Sequence, residues 1–307
     1  MSFASVNPAT GQTLEEIPAD SRSRIEEKIQ RAEETFQQWR SRPMEERAML
    51  MQAAAAELRA GSDTYARAMT LEMGKPITQS HAEVEKCAWV CAYYAEHAND
   101  MLAAESVASD ASESYVRFDP IGPVLAVMPW NFPFWQVFRF AAPALMAGNT
   151  ALLKHASNVP RCALLIEEVF RKAGFPQGCF QTLMVSSSAV GDVIAHPAVR
   201  AATLTGSEHA GSQVAAAAGK EIKKTVLELG GSDPFIVLDD ADVEAAARTG
   251  ATARMINTGQ SCIAAKRFIV TAAVAAQFTT LFCDALAGMV VGDPLDEATE
   301  VGSMARE

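Results

Sequence analysis

A cysteine follows a turn-forming segment in the last fifth of the chain. The residues Asn257-Thr258-Gly259-Gln260-Ser261-Cys262 come directly after a predicted helix, and Gly259 permits the backbone to turn. A cysteine on such a loop exposes its sulfur to a cleft, where the thiolate form is a nucleophile. Cys262 is therefore a candidate for covalent catalysis, and the alternative is a small apolar core residue.

Two polar side chains at the ends of predicted strands are suited to assist a nucleophile. Asn131 lies in the segment Met128-Pro129-Trp130-Asn131-Phe132-Pro133, where two prolines fix an extended turn and the side-chain amide becomes a candidate oxyanion donor. Glu228 closes another strand, and a carboxylate in a partly dry pocket is suited to general base catalysis. The alternatives are a packed strand-end loop for Asn131 and an ion pair with a neighbouring lysine for Glu228.

Two further segments favour a nucleotide ligand. Lys154 ends an apolar run, and a cation at the carboxyl edge of a sheet pairs with a ribose or a phosphate. The segment TGSEHAG, residues 205–211, precedes an alanine-rich helix whose free backbone N–H groups suit a pyrophosphate, although its glycines lack the GxGxxG spacing. The alternative for Lys154 is a solvated strand end, and we interpret His155 as a structural residue.

These segments need a fold that brings them together. From Ser114 onwards, short apolar runs alternate with helical stretches, which is typical of a doubly wound parallel sheet in an α/β fold. We predict strands at residues 115–118, 122–127, 151–154, 180–185, 201–205, 225–229 and 235–238, and helices at residues 160–173, 189–196, 208–219 and 243–256. The candidate segments follow strands, at the edge where such sheets bind ligands. The first third is predicted to be helical, with Ser23 and Glu26 as a capping box.

Composition excludes several classes of protein. The chain has 307 residues, of which 49% are hydrophobic and 21% are charged, and its net charge is −11. A disordered chain is excluded, and the acidic balance argues against nucleic acid or an anionic membrane as the main partner. Prolines interrupt the uncharged stretch between Asp119 and Arg139, and the amino terminus lacks a signal-peptide pattern, so we expect a cytoplasmic protein without a membrane span.

The six cysteines form no CxxC pair and are too sparse for a disulfide framework. Cys87 and Cys91 are four residues apart on a predicted helix, with His81 and His97 nearby, so a metal site is one interpretation. We favour two small core residues and expect no metal.

The order of the segments is more specific than any one of them. PWNFP, Lys154, TGSxxxG, ELGG and GQSC follow one another in an alternating α/β chain. In this order they resemble the aldehyde dehydrogenase superfamily, and residues 223–238 with the loop through residues 266–268 are most similar to its bacterial NAD(P)-dependent succinate-semialdehyde branch. The resemblance implies an NAD(P)-binding domain at residues 1–230 and the first part of a catalytic α/β domain at residues 231–307.

The resemblance implies a covalent mechanism. Cys262 would attack the aldehyde carbon, and the Asn131 amide and the Cys262 backbone N–H would hold the oxyanion of the thiohemiacetal. After hydride transfer to the nicotinamide ring, Glu228 would activate the water that hydrolyses the thioester. The implied activity is oxidation of an aldehyde, with succinate semialdehyde as the expected substrate.

The resemblance also implies where the cofactor lies. Lys154 would contact the adenosine ribose, and the turn that carries Gly206 would lie under the pyrophosphate. The implied cofactor contacts are Pro129, Trp130, Lys154, Ser157, Gly206, Ser207, Gly211 and Leu229. Ser157 replaces a glutamate that is common in NAD-selective members. Because serine leaves room for a 2′-phosphate and offers it a donor, we predict that NADP is accepted, with NAD as the alternative.

Arg139 carries the expectation about the substrate. It falls where succinate-semialdehyde-oxidising members carry an arginine for the far carboxylate of the substrate. Without the resemblance, a subunit bridge or a helix cap is the better interpretation. Ile256 replaces a second arginine, and Ala264 replaces the second cysteine of a redox switch. Oxidation of a neutral aliphatic or aromatic aldehyde, with Arg139 structural, is the alternative.

Family members continue beyond residue 307, so we expect that this chain lacks the rest of the catalytic domain. We expect little turnover from these residues alone and full activity from a longer product that contains them. A non-catalytic protein that binds nucleotide or subunits is the alternative. The resemblance implies a homodimer or homotetramer for the full-length protein, with the segment 113–119 in the subunit contact.

Overall fold

The computed structural model describes residues 2–306 and begins with an antiparallel hairpin of β1 (Ser2–Val6) and β2 (Thr13–Pro18). Four helices follow, which are α1 (Arg22–Trp39), α2 (Met44–Ala60), α3 (Ser62–Met73) and α4 (Ile77–Met101). The prediction of a wholly helical first third is wrong for the hairpin. Its two short strands alternate too weakly between apolar and polar residues to be recognised in the sequence.

Ser21 caps the start of α1, and the predicted capping box of Ser23 and Glu26 is wrong. The Ser21 hydroxyl accepts the backbone N–H of Arg24 at 3.2 Å. Ser23 already lies inside the helix, where its hydroxyl is 2.9 Å from that of Ser21. The first residue with a suitable hydroxyl and an extended backbone takes the capping role.

The middle of the chain alternates between strands and helices. A short exposed hairpin of β3 (Glu105–Ser106) and β4 (Tyr115–Val116) comes first. In chain order there follow β5 (Pro123–Met128), α5 (Trp135–Met146), β6 (Thr150–His155), α6 (Pro160–Lys172), β7 (Phe180–Thr182), α7 (Val190–Ala195), β8 (Ala201–Thr205), α8 (Glu208–Lys220) and β9 (Lys224–Glu228). Strands β5 to β9 form one sheet with all pairs parallel, so the predicted α/β fold with a parallel sheet is confirmed.

The winding of this sheet creates a crevice. The spatial order is β7-β6-β5-β8-β9, so the chain runs outwards from β5 to β7 and then resumes on the other side of β5 with β8. The direction of winding reverses between β5 and β8, and open α/β sheets bind ligands at the carboxyl ends of the strands at such a point. The loops after β5, β6 and β8 are therefore the ones that face a ligand.

Helices cover both faces of the main sheet. Successive residues of a strand point to opposite faces, so Leu152 packs with Ile29 of α1 and Val214 of α8, whereas Leu153 packs in the larger cluster that contains Phe138 of α5. The strands β5 and β6 are almost wholly buried as a result. A sheet covered in this way gives the loops at its edge a rigid support.

The last part of the chain forms a second α/β unit of β10 (Asp233–Val237), α9 (Val243–Met255), β11 (Ala265–Val270) and α10 (Ala272–Ala287). β10 and β11 pair in parallel and form a sheet of their own. The loop expected through residues 266–268 is wrong, because these residues belong to β11 and Phe268 pairs with Phe235. The domain boundary after Gly230 stays a prediction.

The fold bears on the expectations about Cys87 and Cys91 and about a membrane span. Cys87 and Cys91 are fully buried in α4, which agrees with their interpretation as small core residues. Within residues 2–306, no helix combines the length and the apolar composition that crossing a membrane requires.

Candidate active site

The loop after β5, residues 129–133, contacts the loop that ends at Cys262. Asn131 Nδ2 donates a hydrogen bond to the Gln260 carbonyl at 2.9 Å. In return, the fully buried Asn257 donates from Nδ2 to the Asn131 carbonyl at 2.6 Å. The structure therefore brings Asn131 and Cys262 onto adjoining loops, although they are far apart in the sequence.

The cysteine loop has an unusual backbone at its start. Asn257, Thr258 and Gly259 have φ angles of +56°, +58° and +74°. Asparagine and glycine adopt this left-handed region readily, but the β-branched Thr258 is strained in it. Three such residues in succession end α9 and turn the chain, after which Cys262 is only partly buried.

Lys266 joins the cysteine loop to the Glu228-Leu229-Gly230-Gly231 segment. Its Nζ donates to the carbonyls of Gly231 and Cys262, both at 2.7 Å. A Cβ atom at Gly231 would lie 3.5 Å from the Cys262 carbonyl oxygen, so the two segments touch. Sequence reasoning did not find this role of Lys266, because a lysine in an exposed strand carries no signal of its own.

Glu228 lies beside Arg139 and not in a dry pocket. Its side chain is 57% exposed, and the Arg139 Nη2 atom is 4.0 Å from its carboxylate. Arg139 also donates from Nη2 to the Thr205 hydroxyl at 3.3 Å, and these three residues line a cavity of about 570 Å³. Among the described residues Glu228 is exposed, so the prediction of a partly dry pocket around it is wrong. The alternative predicted an ion pair with a lysine, but the charged neighbour is Arg139.

The end of β6 presents a buried cation to the crevice. Lys154 is 9% exposed, and burial, with a smaller contribution from the positive charge of Arg306, lowers its pKa. Ser157 is exposed in the loop that follows. Among the described residues the buried Asn158 Nδ2 atom has no hydrogen-bond partner, so this N–H group remains available to donate to a ligand.

The start of α8 lies at the end of the neighbouring strand β8. Ser207 caps the helix by accepting the Ala210 N–H at 3.3 Å, and Gly206 donates its N–H to the Glu228 carbonyl. A Cβ atom at Gly211 would lie 2.6 Å from the end of the Leu229 side chain, so the glycine lets Leu229 pack closely on the helix. The first turn of a helix offers free N–H groups and a positive end of the helix dipole to an anion.

Pro129 and Trp130, the remaining predicted cofactor residues, lie between Lys154 and the start of α8. Pro129 and Trp130 are half-buried at the end of β5, and Trp130 packs against the main apolar cluster. The strand ends therefore place Trp130 between Lys154 on β6 and Ser207 after β8. This arrangement fits an anionic nucleotide, with a cation on one side and a helix N-terminus on the other.

His155 supports the Asn131 loop through a hydrogen bond to the Pro133 carbonyl. Its Nδ1 accepts the Ala156 N–H at 2.9 Å, so the hydrogen is on Nε2, which donates to the Pro133 carbonyl at 2.9 Å. Burial lowers the pKa of His155 to about 4, so the ring is neutral near pH 7. This geometry agrees with the structural interpretation of the residue.

Lys75 and Glu83 also reach this loop, and sequence reasoning did not find them. Both are buried, and Glu83 accepts the backbone N–H groups of Phe134 and Trp135 at 2.9 Å each. Charged residues near the start of a helix are usually solvated, so their positions in the sequence give no sign of burial.

Comparison with known proteins shows the family of this chain. The family model described as "Aldehyde dehydrogenase family" matches residues 1–307. A protein of Synechocystis sp. with the name probable succinate-semialdehyde dehydrogenase (NADP(+)) is 54% identical over 305 residues, which are 99% of this chain and 67% of the relative. Succinate-semialdehyde dehydrogenase (NADP(+)) 1 of Mycobacterium tuberculosis is 53% identical over 310 residues, covering 100% of this chain and 68% of that protein.

Solved structures give the same result. The crystal structure of succinic semialdehyde dehydrogenase from Streptococcus pyogenes in complex with NADP+ has a TM-score of 0.96 at 36% identity and covers 99% of this chain and 67% of that one. The succinate-semialdehyde dehydrogenase of Burkholderia pseudomallei has a TM-score of 0.96 at 30% identity, covering 100% of this chain and 64% of that one. The chain spans about two thirds of the length of these relatives. With its parallel sheet, its adjoining Asn131 and Cys262 loops and a family match over its whole length, the chain belongs to the aldehyde dehydrogenase family.

Proposed function

We propose that this chain carries the nucleophile and the cofactor-binding edge of an NADP-dependent enzyme that oxidises succinate semialdehyde to succinate. The observation that carries the proposal is the contact between the Asn131 amide and the loop of Cys262. It supports a role for the Asn131 amide as an oxyanion donor to the loop that carries the partly exposed thiol of Cys262. The names of the similar proteins of Synechocystis and Mycobacterium support the substrate and the cofactor.

The described residues fit an NADP cofactor. Lys154 and the unpartnered Asn158 amide would hold the adenosine ribose and its phosphate, and the first turn of α8 at Ser207 would hold the pyrophosphate. Ser157 is exposed and has no negative charge to repel a 2′-phosphate. When bound, the nicotinamide ring supplies the acceptor for a hydride from the substrate.

Cys262 begins the reaction as a nucleophile. Its thiolate forms a bond to the aldehyde carbon, and the carbonyl electron pair moves to the oxygen, which becomes an oxyanion. The Asn131 Nδ2 and the Cys262 backbone N–H hold that oxyanion. In the structure the Asn131 amide donates to the Gln260 carbonyl, so it must turn away from that carbonyl to reach a substrate.

Glu228 completes the reaction as a general base. Loss of the hydride from the thiohemiacetal carbon restores the carbonyl and leaves a thioester on Cys262. Glu228 takes a proton from water, the water oxygen bonds to the thioester carbon, and the carbon–sulfur bond breaks to release the acid and the thiolate. The Glu228 carboxylate is more than half exposed and lies beyond hydrogen-bond distance of Arg139, so it has access to water.

Arg139 provides the selection for an acidic aldehyde. Its guanidinium faces the cavity that Glu228 also lines, and its 4.0 Å contact with an exposed carboxylate is worth little. The remaining donors are therefore free for the far carboxylate of a short substrate.

A neutral aldehyde is the second candidate substrate. A cavity of about 470 Å³ lies beside Phe132, and Trp135, Met255 and Ile256 give it apolar walls. Such walls favour an aliphatic or aromatic chain. The ratio of kcat/KM for succinate semialdehyde to kcat/KM for hexanal separates the two candidates, and Arg139→Met lowers this ratio only if Arg139 binds the carboxylate.

The proposal extends to assembly. The β3–β4 hairpin exposes Tyr115 and Val116, and Phe118 follows it at 43% exposure. An exposed apolar arm of this kind suits a contact between subunits, as the resemblance implies for residues 113–119. We propose a homodimer or homotetramer, which sedimentation analysis of the natural gene product tests.

The central test measures NADPH formation from succinate semialdehyde with the natural gene product that contains residues 1–307. We expect Cys262→Ser to abolish turnover and Cys283→Ser, which changes an exposed free cysteine elsewhere, to leave it unchanged. Turnover that survives Cys262→Ser contradicts the mechanism. Absence of turnover in the parent protein contradicts the proposed function.

A further inference from the structure

A buried ion pair lies directly behind the Asn131 loop. Lys75 follows the left-handed Gly74 that ends α3, and Glu83 lies in the second turn of α4. Their side chains are 1% and 3% exposed, and the Lys75 ammonium contacts the Glu83 carboxylate directly. Moving two charges out of water is costly, and an apolar pair of similar size is often as stable. Stability alone is therefore a weak explanation for this pair.

Glu83 uses its second oxygen to hold the end of the loop. Oε1 accepts the backbone N–H groups of Phe134 and Trp135, each at 2.9 Å. These residues begin α5, where no side chain of the helix itself provides a cap. A carboxylate at this position satisfies two free donors and interacts favourably with the helix dipole.

Lys75 contacts the residue next to Asn131. Its Nζ lies 4.1 Å from the centre of the Phe132 ring, which is within the range of a cation–π interaction. Lys75 and Glu83 together therefore fix three of the four residues that follow Asn131, with Pro133 held by His155. On its other side, the Asn131 carbonyl is held by Asn257.

We infer that the Lys75–Glu83 pair is a positioning device that directs the Asn131 amide towards the oxyanion. The inference rests on the proposed function of Asn131. Neither residue has a place in the chemistry itself, and each acts through the loop. A shift of the loop by about 1 Å is enough to lower the rate about 100-fold. A rigid support that prevents this shift therefore keeps kcat high.

The test replaces the pair without leaving a lone buried charge. Lys75→Met/Glu83→Leu keeps the volume and removes both the charges and the acceptor for the N–H groups of Phe134 and Trp135. We expect kcat for succinate semialdehyde to fall about 10- to 100-fold, with KM changed less than about twofold. Lys75→Met/Glu83→Gln restores an acceptor oxygen, and we expect it to recover most of kcat. Glu85→Gln is the matched control, because Glu85 is on the same helix in an exposed ion pair with Arg59.

A double-mutant cycle separates positioning from a general structural role. If the pair acts through Asn131, Lys75→Met/Glu83→Leu lowers kcat less than about twofold further in an Asn131→Ala background. Equal losses in both backgrounds overturn the inference, and so does a kcat within twofold of the parent in the pair variant alone.

A structural readout keeps this test separate from the test of function. If the parent protein has no turnover, the proposed function fails, and the crystal structure of the pair variant decides the inference. Displacement of the Asn131 backbone by about 1 Å or more from its position in the parent supports it. An unmoved Asn131 backbone, with the rest of the fold unchanged, overturns it.

Discussion

The two α/β units hold their site residues in different ways. In the main sheet, Lys154 and His155 end a strand that is buried along its whole length, with helices on both faces. In the second unit, the two-stranded sheet leaves Ile236 60% and Ile269 51% exposed. Cys262 is held by polar contacts, since Lys266 of β11 donates to its carbonyl and to that of Gly231, and apolar packing of this sheet contributes little.

The two units therefore support their site residues by different interactions, which are apolar packing in the main sheet and hydrogen bonds at the cysteine loop. Apolar packing holds the strand that carries Lys154, and breaking it disturbs the whole domain. The cysteine loop depends on a few polar contacts, such as Asn257 with Asn131 and Lys266 with Gly231. A single hydrogen bond contributes about 1 kcal/mol, so the nucleophile can be displaced while the fold survives.

The largest expected effect breaks the packing of the main unit. Phe138 is fully buried between the rings of Phe134 and Phe170. Phe138→Ala is expected to lower the free energy of unfolding by about 3–5 kcal/mol, because it leaves a cavity. Ile236→Ala in the second unit is expected to cost less than about 1 kcal/mol, since that side chain is mostly exposed. Urea titrations measure both, and equal losses would contradict the comparison.

A smaller effect is expected from pH through His155. Burial lowers its pKa to about 4, below the ordinary value of 6.5, so the unfolded chain takes up the proton first as the pH falls. The neutral ring therefore contributes fully above about pH 6.5, and about 2 kcal/mol of stability is lost between about pH 7 and pH 5. His155→Gln should flatten the pH dependence of unfolding. Parallel slopes for the parent and His155→Gln would exclude this role.

The contact between the loops is expected to contribute less. Asn257→Ala removes the hydrogen bond to the Asn131 carbonyl and forces alanine into a left-handed backbone, at a cost of about 1–2 kcal/mol. Asn257→Gly keeps that backbone and should cost less. Hydrogen exchange at Gln260 and Cys262 should accelerate in both variants, while exchange in β6 stays unchanged. Faster exchange in β6 would show that the two units are not independently supported.

The smallest effect on stability is expected at the cofactor edge. Ser157 is exposed, so Ser157→Glu should change the free energy of unfolding by less than about 0.5 kcal/mol. The same change should raise KM for NADP more than about tenfold relative to KM for NAD, because a carboxylate repels a 2′-phosphate. Ser157→Ala is the control without a charge. Complete refusal of NADP by the parent protein would contradict the predicted cofactor.

Prediction from the sequence succeeded where a local pattern dictates the structure. β8 was predicted with the bounds it has in the structure, because a run of five small or apolar residues, two of them threonines, ends at a glycine turn. The strand predicted at residues 180–185 ends at Thr182, although the Leu183 N–H still donates to the Leu153 carbonyl of β6. β11 was missed because charged Lys266 and Arg267 hide a strand that its pairing with β10 creates.

The sequence by itself determined the alternation of strands and helices, the order of the segments and the types of residue at the strand ends. These follow from local preferences and from the period of the apolar residues. Only the tertiary structure decided that Glu228 faces Arg139, that Asn257 and Lys266 hold the cysteine loop, and that Lys75 and Glu83 lie behind Asn131. Apart from the contact of Lys266 with Cys262, these contacts join residues far apart in the chain, and no local pattern encodes which polar groups burial will leave for one another.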